Sequence, residues 1–318
     1  MLPSQDLAVD MLANAQYNFT TSGLKNISLE NPTSLQFGPD SRLYVSQQNG
    51  IIKAFTIKRN GPNDYTVTDT ETIDLINQIP NYNDDGTLKS SVNTRQVTGI
   101  LVTGTSAQPI LYVSSSDSRI GGGSGSGDKN LDTNSGIISR LTRNGSSWTK
   151  VDLVRGLPRS EENHSVNGMQ FDERTNMLFV AVGGFTNAGA PSNNFAFITE
   201  YALAAAILSI DLNVIDAMPT KGSGNTAYKY DLPTLDDPTR ANNPDGTDVN
   251  DPFGGNDGLN QAIIVQGGPV QVYSPGYRNA YDLVITKTPG KEGRMYTIDN
   301  GANSGGEDIL IMKEPMEM

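Results

Sequence analysis

The stretch Asn31-Pro32-Thr33-Ser34-Leu35-Gln36-Phe37-Gly38-Pro39-Asp40-Ser41-Arg42-Leu43-Tyr44-Val45 decides the fold. A polar start leads into an alternating run, a Gly-Pro-Asp-Ser turn reverses the chain, and an aromatic run follows. Alternation of period two is the pattern of a strand with one face buried, and Gly, Pro, Asp and Ser are the residues that tight turns demand. The stretch reads as a β-hairpin. Its pattern returns three times: Gly99-Ile100-Leu101-Val102 with Ile110-Leu111-Tyr112-Val113, Asn167-Gly168-Met169-Gln170-Phe171-Asp172 with Met177-Leu178-Phe179-Val180-Ala181-Val182-Gly183, and Asp282-Leu283-Val284-Ile285-Thr286 with Gly293-Arg294-Met295-Tyr296-Thr297-Ile298-Asp299.

A further strand follows each of the first three hairpins, at residues 50–57, 136–141 and 206–211. Residues 201–206 also suit a short helix, although their continuation reads as a strand. Units of three or four strands, repeated along one chain, are the logic of propeller blades. The expectation is therefore an all-β chain and a β-propeller, with residues 1–30 as an N-terminal segment or first strand and 31–318 as the propeller domain. Irregular spacing of the units places long loops at 118–134, 184–196 and 235–260. The pattern stops after the fourth hairpin, so about four to five blades and an incomplete ring are expected. A ring that closes within this chain is the alternative.

Composition narrows the function. The 318 residues are 36% hydrophobic, with 33 Gly and 17 Pro, as in a strand-and-turn protein. A net charge of −12 repels polyanions, so nucleic acid is a poor partner, while carboxylates suit solubility and calcium. The absence of cysteine excludes disulfides and thiolate metal sites. No apolar run is long enough to span a membrane. The first residues, Met1-Leu2-Pro3-Ser4-Gln5-Asp6, carry no basic or apolar leader. That leaves a trimmed secretion signal or a cytosolic protein open.

Three segments could carry chemistry. The only histidine, His164, lies just before a strand, at one end of the fold. It reads as a surface or internally satisfied histidine or as a base, and its isolation excludes a two-histidine metal centre. Arg278, in Tyr273-Ser274-Pro275-Gly276-Tyr277-Arg278-Asn279, suits a structural ion pair or a bound carboxylate. Asp299-Asn300-Gly301-Ala302-Asn303-Ser304-Gly305-Gly306-Glu307-Asp308 offers oxygen donors among glycines, which fits an acidic turn or Ca²⁺. No phosphate-binding loop, nucleophile elbow or HExxH motif occurs.

In this order the three segments resemble the soluble glucose/sorbosone dehydrogenase family, six-bladed propellers that use pyrroloquinoline quinone (PQQ) and Ca²⁺. The resemblance covers about residues 30–308. It implies a sugar dehydrogenase of the periplasm or extracellular space, taking hydride from sugar C1 with a histidine base. His164 and Arg278 become the catalytic residues. Gln96, Asn163, Arg278 and Asn279 become the cofactor side. Gly301, Ala302, Glu307 and Asp308 become the calcium side. Asn163 stands where the family often has an acid beside the histidine, Ala302 replaces a proline, and the basic residues that later blades supply to the cofactor have no counterpart here. The other function expected from these features is a non-catalytic, calcium-stabilised propeller. It would bind carbohydrate or protein partners within a larger exported protein.

Overall fold

The computed structural model describes residues 19–121, 129–190, 192–234 and 261–301. The first sheet holds β1 (Leu24–Lys25), β2 (Pro32–Phe37), β3 (Leu43–Gln47), β4 (Ile52–Gly61) and β5 (Asp64–Ile73) in the order β1-β5-β4-β3-β2. The second holds β6 (Arg95–Gly104), β7 (Pro109–Asp117), β8 (Gly136–Asn144), β9 (Ser147–Leu157) and β13 (Tyr228–Asp231), in the order β13-β9-β8-β7-β6. The third holds β10 (Val166–Asp172), β11 (Met177–Val182), β12 (Ala206–Asp211) and β14 (Val270–Pro275) in chain order. The fourth is the hairpin of β15 (Ala280–Ile285) and β16 (Met295–Asp299).

Each hairpin forms where its turn residues predict. Gly38 N–H donates to the Arg42 carbonyl, Ser41 N–H to that of Gly38, and Ser41 takes a left-handed φ of 63°. Asp40 and Asp172 do the same local work in different hairpins: each carboxylate accepts the N–H two residues on, from Arg42 and Arg174. Residues 201–205 are turns and bends rather than helix, and the strand begins at Ala206. The one α-helix among the described residues, α1 (Leu212–Ala217), continues directly from β12, its N-terminus capped by Asp211.

The sheets stack face to face around one axis. On β11, Leu178 and Val180 pack toward the second sheet with Leu101, Ile138 and Val154, while Phe179 and Ala181 pack toward the fourth with Ala280, Leu283 and Met295. Between the first and second sheets lie Ile52, Ile73 and Ile76 against Val97, Leu111 and Ile137. Alternate side chains of one strand thus serve two interfaces, the arrangement that radial blades require. β2, β6, β10 and β15 are the innermost strands. Residues from all four (Thr33, Thr98, Gly168 and Asp282 among them) line an axial cavity of about 280 Å³. The Tyr281 hydroxyl donates to the Thr33 carbonyl at 3.2 Å, joining the last sheet to the first. The chain is an all-β propeller in which four sheets are described.

Two strands join sheets far from their neighbours in sequence. β13 pairs in parallel with the outer strand β9, and β1 in parallel with the outer strand β5. The loops expected at 118–134 and 184–196 lie partly within the described residues. Asn83 and Leu131 form an isolated bridge in the first, and Asn193–Phe195 form a 3-10 turn in the second. Residues 235–260 lie outside the described residues.

Candidate functional site

His164 lies two residues before β10, and Arg278 two before β15, so the two lead into neighbouring inner strands. Both reach the ring of Phe195: the imidazole centroid lies 4.8 Å from it and the guanidinium carbon 5.9 Å. The packing is close because glycine follows β11. A Cβ on Gly183 would stand 2.6 Å from His164 Cβ and 2.5 Å from Asn279 Oδ1.

His164 stands at the end of the sheet, as its sequence position predicts, but it does not face solvent. It is 1% exposed, because Phe195 covers it. Its Nδ1 lies 2.9 Å from the Gly184 carbonyl. A carbonyl only accepts, so Nδ1 carries the proton and Nε2 the lone pair. Burial, then the nearby Arg278 charge, holds the imidazole well below its ordinary value, at about 3. Glu162 Oε2 is 3.8 Å from Nε2. With the ring neutral this contact is not an ion pair, and it is too long for a hydrogen bond.

Arg278 is 7% exposed. Its Nε donates to Asn187 Oδ1 at 2.9 Å and its Nη1 to the Asn300 carbonyl at 3.3 Å, while Nη2 has no bond to a described residue. Asp299 accepts the backbone N–H groups of Arg278 and Asn279, at 3.0 and 2.7 Å, fixing the turn that presents the guanidinium. Burial draws the guanidinium below its ordinary value, opposed by Glu162 and Asp299.

The remaining site residues expected from sequence scatter. Asn279 turns its side chain inward, where its Oδ1 accepts from Asn167 Nδ2 at 2.9 Å. Asn163 is exposed, and its backbone N–H donates to Glu162. Gln96 is buried at the start of β6, its Oε1 without a hydrogen-bond partner, and it shares no hydrogen bond with His164 or Arg278 among the described residues. Gly301 is the last described residue, one beyond Asn300. Ala302, Glu307 and Asp308 lie outside the described residues. Among those described, no three His, Asp or Glu side chains gather as a metal site. Sequence reasoning missed Glu162, Asn187 and Phe195. The first is the carboxylate nearest the imidazole, one residue before the Asn163 position where an acid was sought, and Asn187 and Phe195 sit in the 184–196 loop.

The low basicity of His164 has a consequence for stability. Between pH 6.5 and about 3 the unfolded chain binds a proton at this residue that the folded chain does not. Stability from this group therefore rises with pH through that window and is lost on acidification, by about 1.4 kcal/mol per pH unit. His164→Gln is expected to flatten this part of the pH dependence. Urea midpoints of both proteins at pH 7 and pH 4.5 measure it, and parallel losses in the two would contradict it.

No family model matches the chain, and no match emerges among curated proteins. Solved structures do resemble it. One is an oxidoreductase described as a glucose dehydrogenase, from Thermus thermophilus, at 15% identity and a TM-score of 0.44, covering 91% of this chain and 63% of that one. Another is the holo form of the PQQ domain of a pyranose dehydrogenase from Coprinopsis cinerea, at 13% identity and 0.42, covering 89% and 48%. A third is the calcium structure of a family AA12 carbohydrate-active enzyme from Trichoderma reesei, at 15% and 0.40, covering 90% and 66%. The chain spans less than two thirds of the length of each. All three TM-scores lie below 0.5, so the propeller stands on the strand order and the axial cavity. No helix among the described residues is long and apolar enough to cross a membrane.

Proposed function

We propose that this chain is a propeller oxidoreductase acting on a sugar hydroxyl, with a quinone as electron acceptor and His164 as base. The observation that carries the reading is the convergence of His164 and Arg278 on Phe195, with a proton-free Nε2 on the histidine. Nε2 takes the hydroxyl proton of the substrate. Gly184, by accepting from Nδ1, holds the ring in the tautomer that leaves Nε2 free. Phe195 keeps water from the imidazole. Glu162, 3.8 Å from Nε2, stabilises the imidazolium once the proton has arrived.

The described residues fit the anionic edge of PQQ. Arg278 is steered by Asn187 and Asn300, and its Nη2 is left for an oxygen of the ligand. A bound quinone would supply the acceptor for the hydride that leaves the carbon as its hydroxyl loses the proton. An anion on Arg278 also offsets the second cause of His164's low basicity, so occupancy of one group raises the other's competence. The calcium side of such a site falls on residue 301 and beyond, outside all but the last described residue.

The depth of His164, 1% exposed beneath Phe195, favours a second reading: a non-catalytic propeller in a larger exported protein, binding carbohydrate or protein partners and stabilised by calcium. One experiment separates the two. PQQ and Ca²⁺ are added to the protein, and cofactor absorbance, dye reduction with a panel of aldoses, and melting temperature are followed together. An absorbance shift with sugar-dependent dye reduction is the expected result. A melting temperature that rises with Ca²⁺ alone, with no response to PQQ, assigns the chain to the second reading.

A further inference from the structure

The residues that hold His164 and Arg278 lie on one short strap, residues 184–187. The Gly184 carbonyl takes the Nδ1 proton of His164, and Asn187 Oδ1 takes the Nε proton of Arg278. Between these two contacts the strap makes two bonds to a single carboxylate. Phe185 N–H donates to Glu200 Oε1 at 2.7 Å, and Thr186 Oγ1 donates to Glu200 Oε2 at 2.7 Å. Thr186 Oγ1 in turn accepts from Gly189 N–H at 2.9 Å, so its hydroxyl proton is committed to Glu200.

The segment that carries Glu200 also governs the arginine. Ala205, in a left-handed conformation at φ 52°, offers its carbonyl to both Gly276 N–H and Tyr277 N–H at 3.0 Å, directly before Arg278. Tyr201 stacks on Phe185 at 4.1 Å, so the residue after Glu200 backs the strap as well. The fit leaves no slack at Gly184. A Cβ there would stand 2.9 Å from Glu200 Oε2 and 3.0 Å from the Arg278 carbonyl, which already accepts Gly184 N–H at 2.8 Å. Residues 200–205 therefore tie the histidine side of the site to the arginine side.

We propose that Glu200 is the positioning residue of this site: its carboxylate fixes the strap from which Gly184 and Asn187 set the tautomer of His164 and the direction of Arg278. The proposal rests on the reading of His164 as a base, but its test does not. His164 is the only histidine in the chain, so its two ring nitrogens give an unambiguous nitrogen NMR signature in the protein without cofactor. In the wild type the proton sits on Nδ1 and Nε2 is bare, and the ring titrates near 3.

Glu200→Ala releases the strap. The single tautomer is lost, the Nε2 resonance moves toward its protonated position, and the titration midpoint rises toward the ordinary histidine value as water reaches the ring. Glu200→Gln keeps an acceptor for Phe185 N–H and shifts the same signals less. Thr186→Val removes only the hydroxyl partner and again gives a smaller shift in the same direction. Unchanged tautomer and midpoint in a folded Glu200→Ala protein would overturn the proposal. If that variant does not fold, unchanged spectra in both Glu200→Gln and Thr186→Val would overturn it instead. Wild-type protein that never oxidises a sugar while these spectra shift as described counts against the oxidoreductase reading alone. Unshifted spectra in an active enzyme count against Glu200 alone.

Discussion

In His164→Ala, quinone-dependent sugar oxidation is expected to fall by about 10²–10⁴-fold, the range spanned by a positioned general base. The loss should appear in kcat, with KM little changed, because Nε2 meets the substrate through the proton it removes and not through a standing contact. Initial rates at saturating PQQ and Ca²⁺ measure it. The wild-type pH profile adds a second mark. With the ring neutral down to about pH 3, no acid limb should appear near 6.5, the ordinary histidine value. A loss smaller than tenfold, or an acid limb near 6.5 that vanishes with the histidine, would remove His164 from the role of a buried base.

How much of this was legible in the sequence follows from the range of each interaction. The four hairpins could be read because a half-buried strand writes its alternation into consecutive residues, and because Gly38-Pro39-Asp40-Ser41 is local turn chemistry. β5 was not read, since Asp64–Ile73 is mostly Thr, Asp and Glu and only two of its residues are buried. β1 and β13 join outer edges by non-local parallel pairing, which leaves no local pattern in two to four residues. The site divides in the same way. His164 stood out as the chain's only histidine, just before a strand, and Arg278 by its place before a strand, and both through a family resemblance. Phe195, Asn187 and Glu200 did not, because their importance lies in where the 184–196 loop and the 200–205 turn come to rest, and Glu162 did not, because only the fold turns its carboxylate toward the imidazole. Gln96 shows the converse. It lies within β6, and the side chain's environment, a buried carbonyl oxygen without a partner, belongs to the folded state.

Arg95→Met is expected to cost about 3–5 kcal/mol of stability, the range for removing one member of a buried charge network. Arg95 is fully buried at the start of β6. Its Nη1 donates to Asn81 Oδ1 at 2.8 Å and its Nη2 to the Ser135 carbonyl at 2.6 Å. Burial pulls its guanidinium down to about 10, against the opposing fields of Asp117, Asp152 and Asp132, so it remains charged at neutral pH. Those three carboxylates are themselves buried. Arg119 pairs with Asp117 at 2.8 Å, and Lys150 with Asp152 at 2.7 Å, but each of these cations is bonded to one of the three carboxylates while the fields of all three act on Arg95. Methionine fills the volume of the stem and supplies neither donor nor charge. It strands the Asn81 and Ser135 oxygens and leaves an excess of buried negative charge. Lysine should rescue little, because one ammonium cannot reproduce the planar fork that spans Asn81 and Ser135. Against a total stability of about 5–15 kcal/mol, the methionine variant should unfold at a much lower urea concentration. A loss below about 1 kcal/mol would mean that water or a neighbouring cation takes the place of the guanidinium, and that the second sheet does not depend on Arg95 for its charged interior.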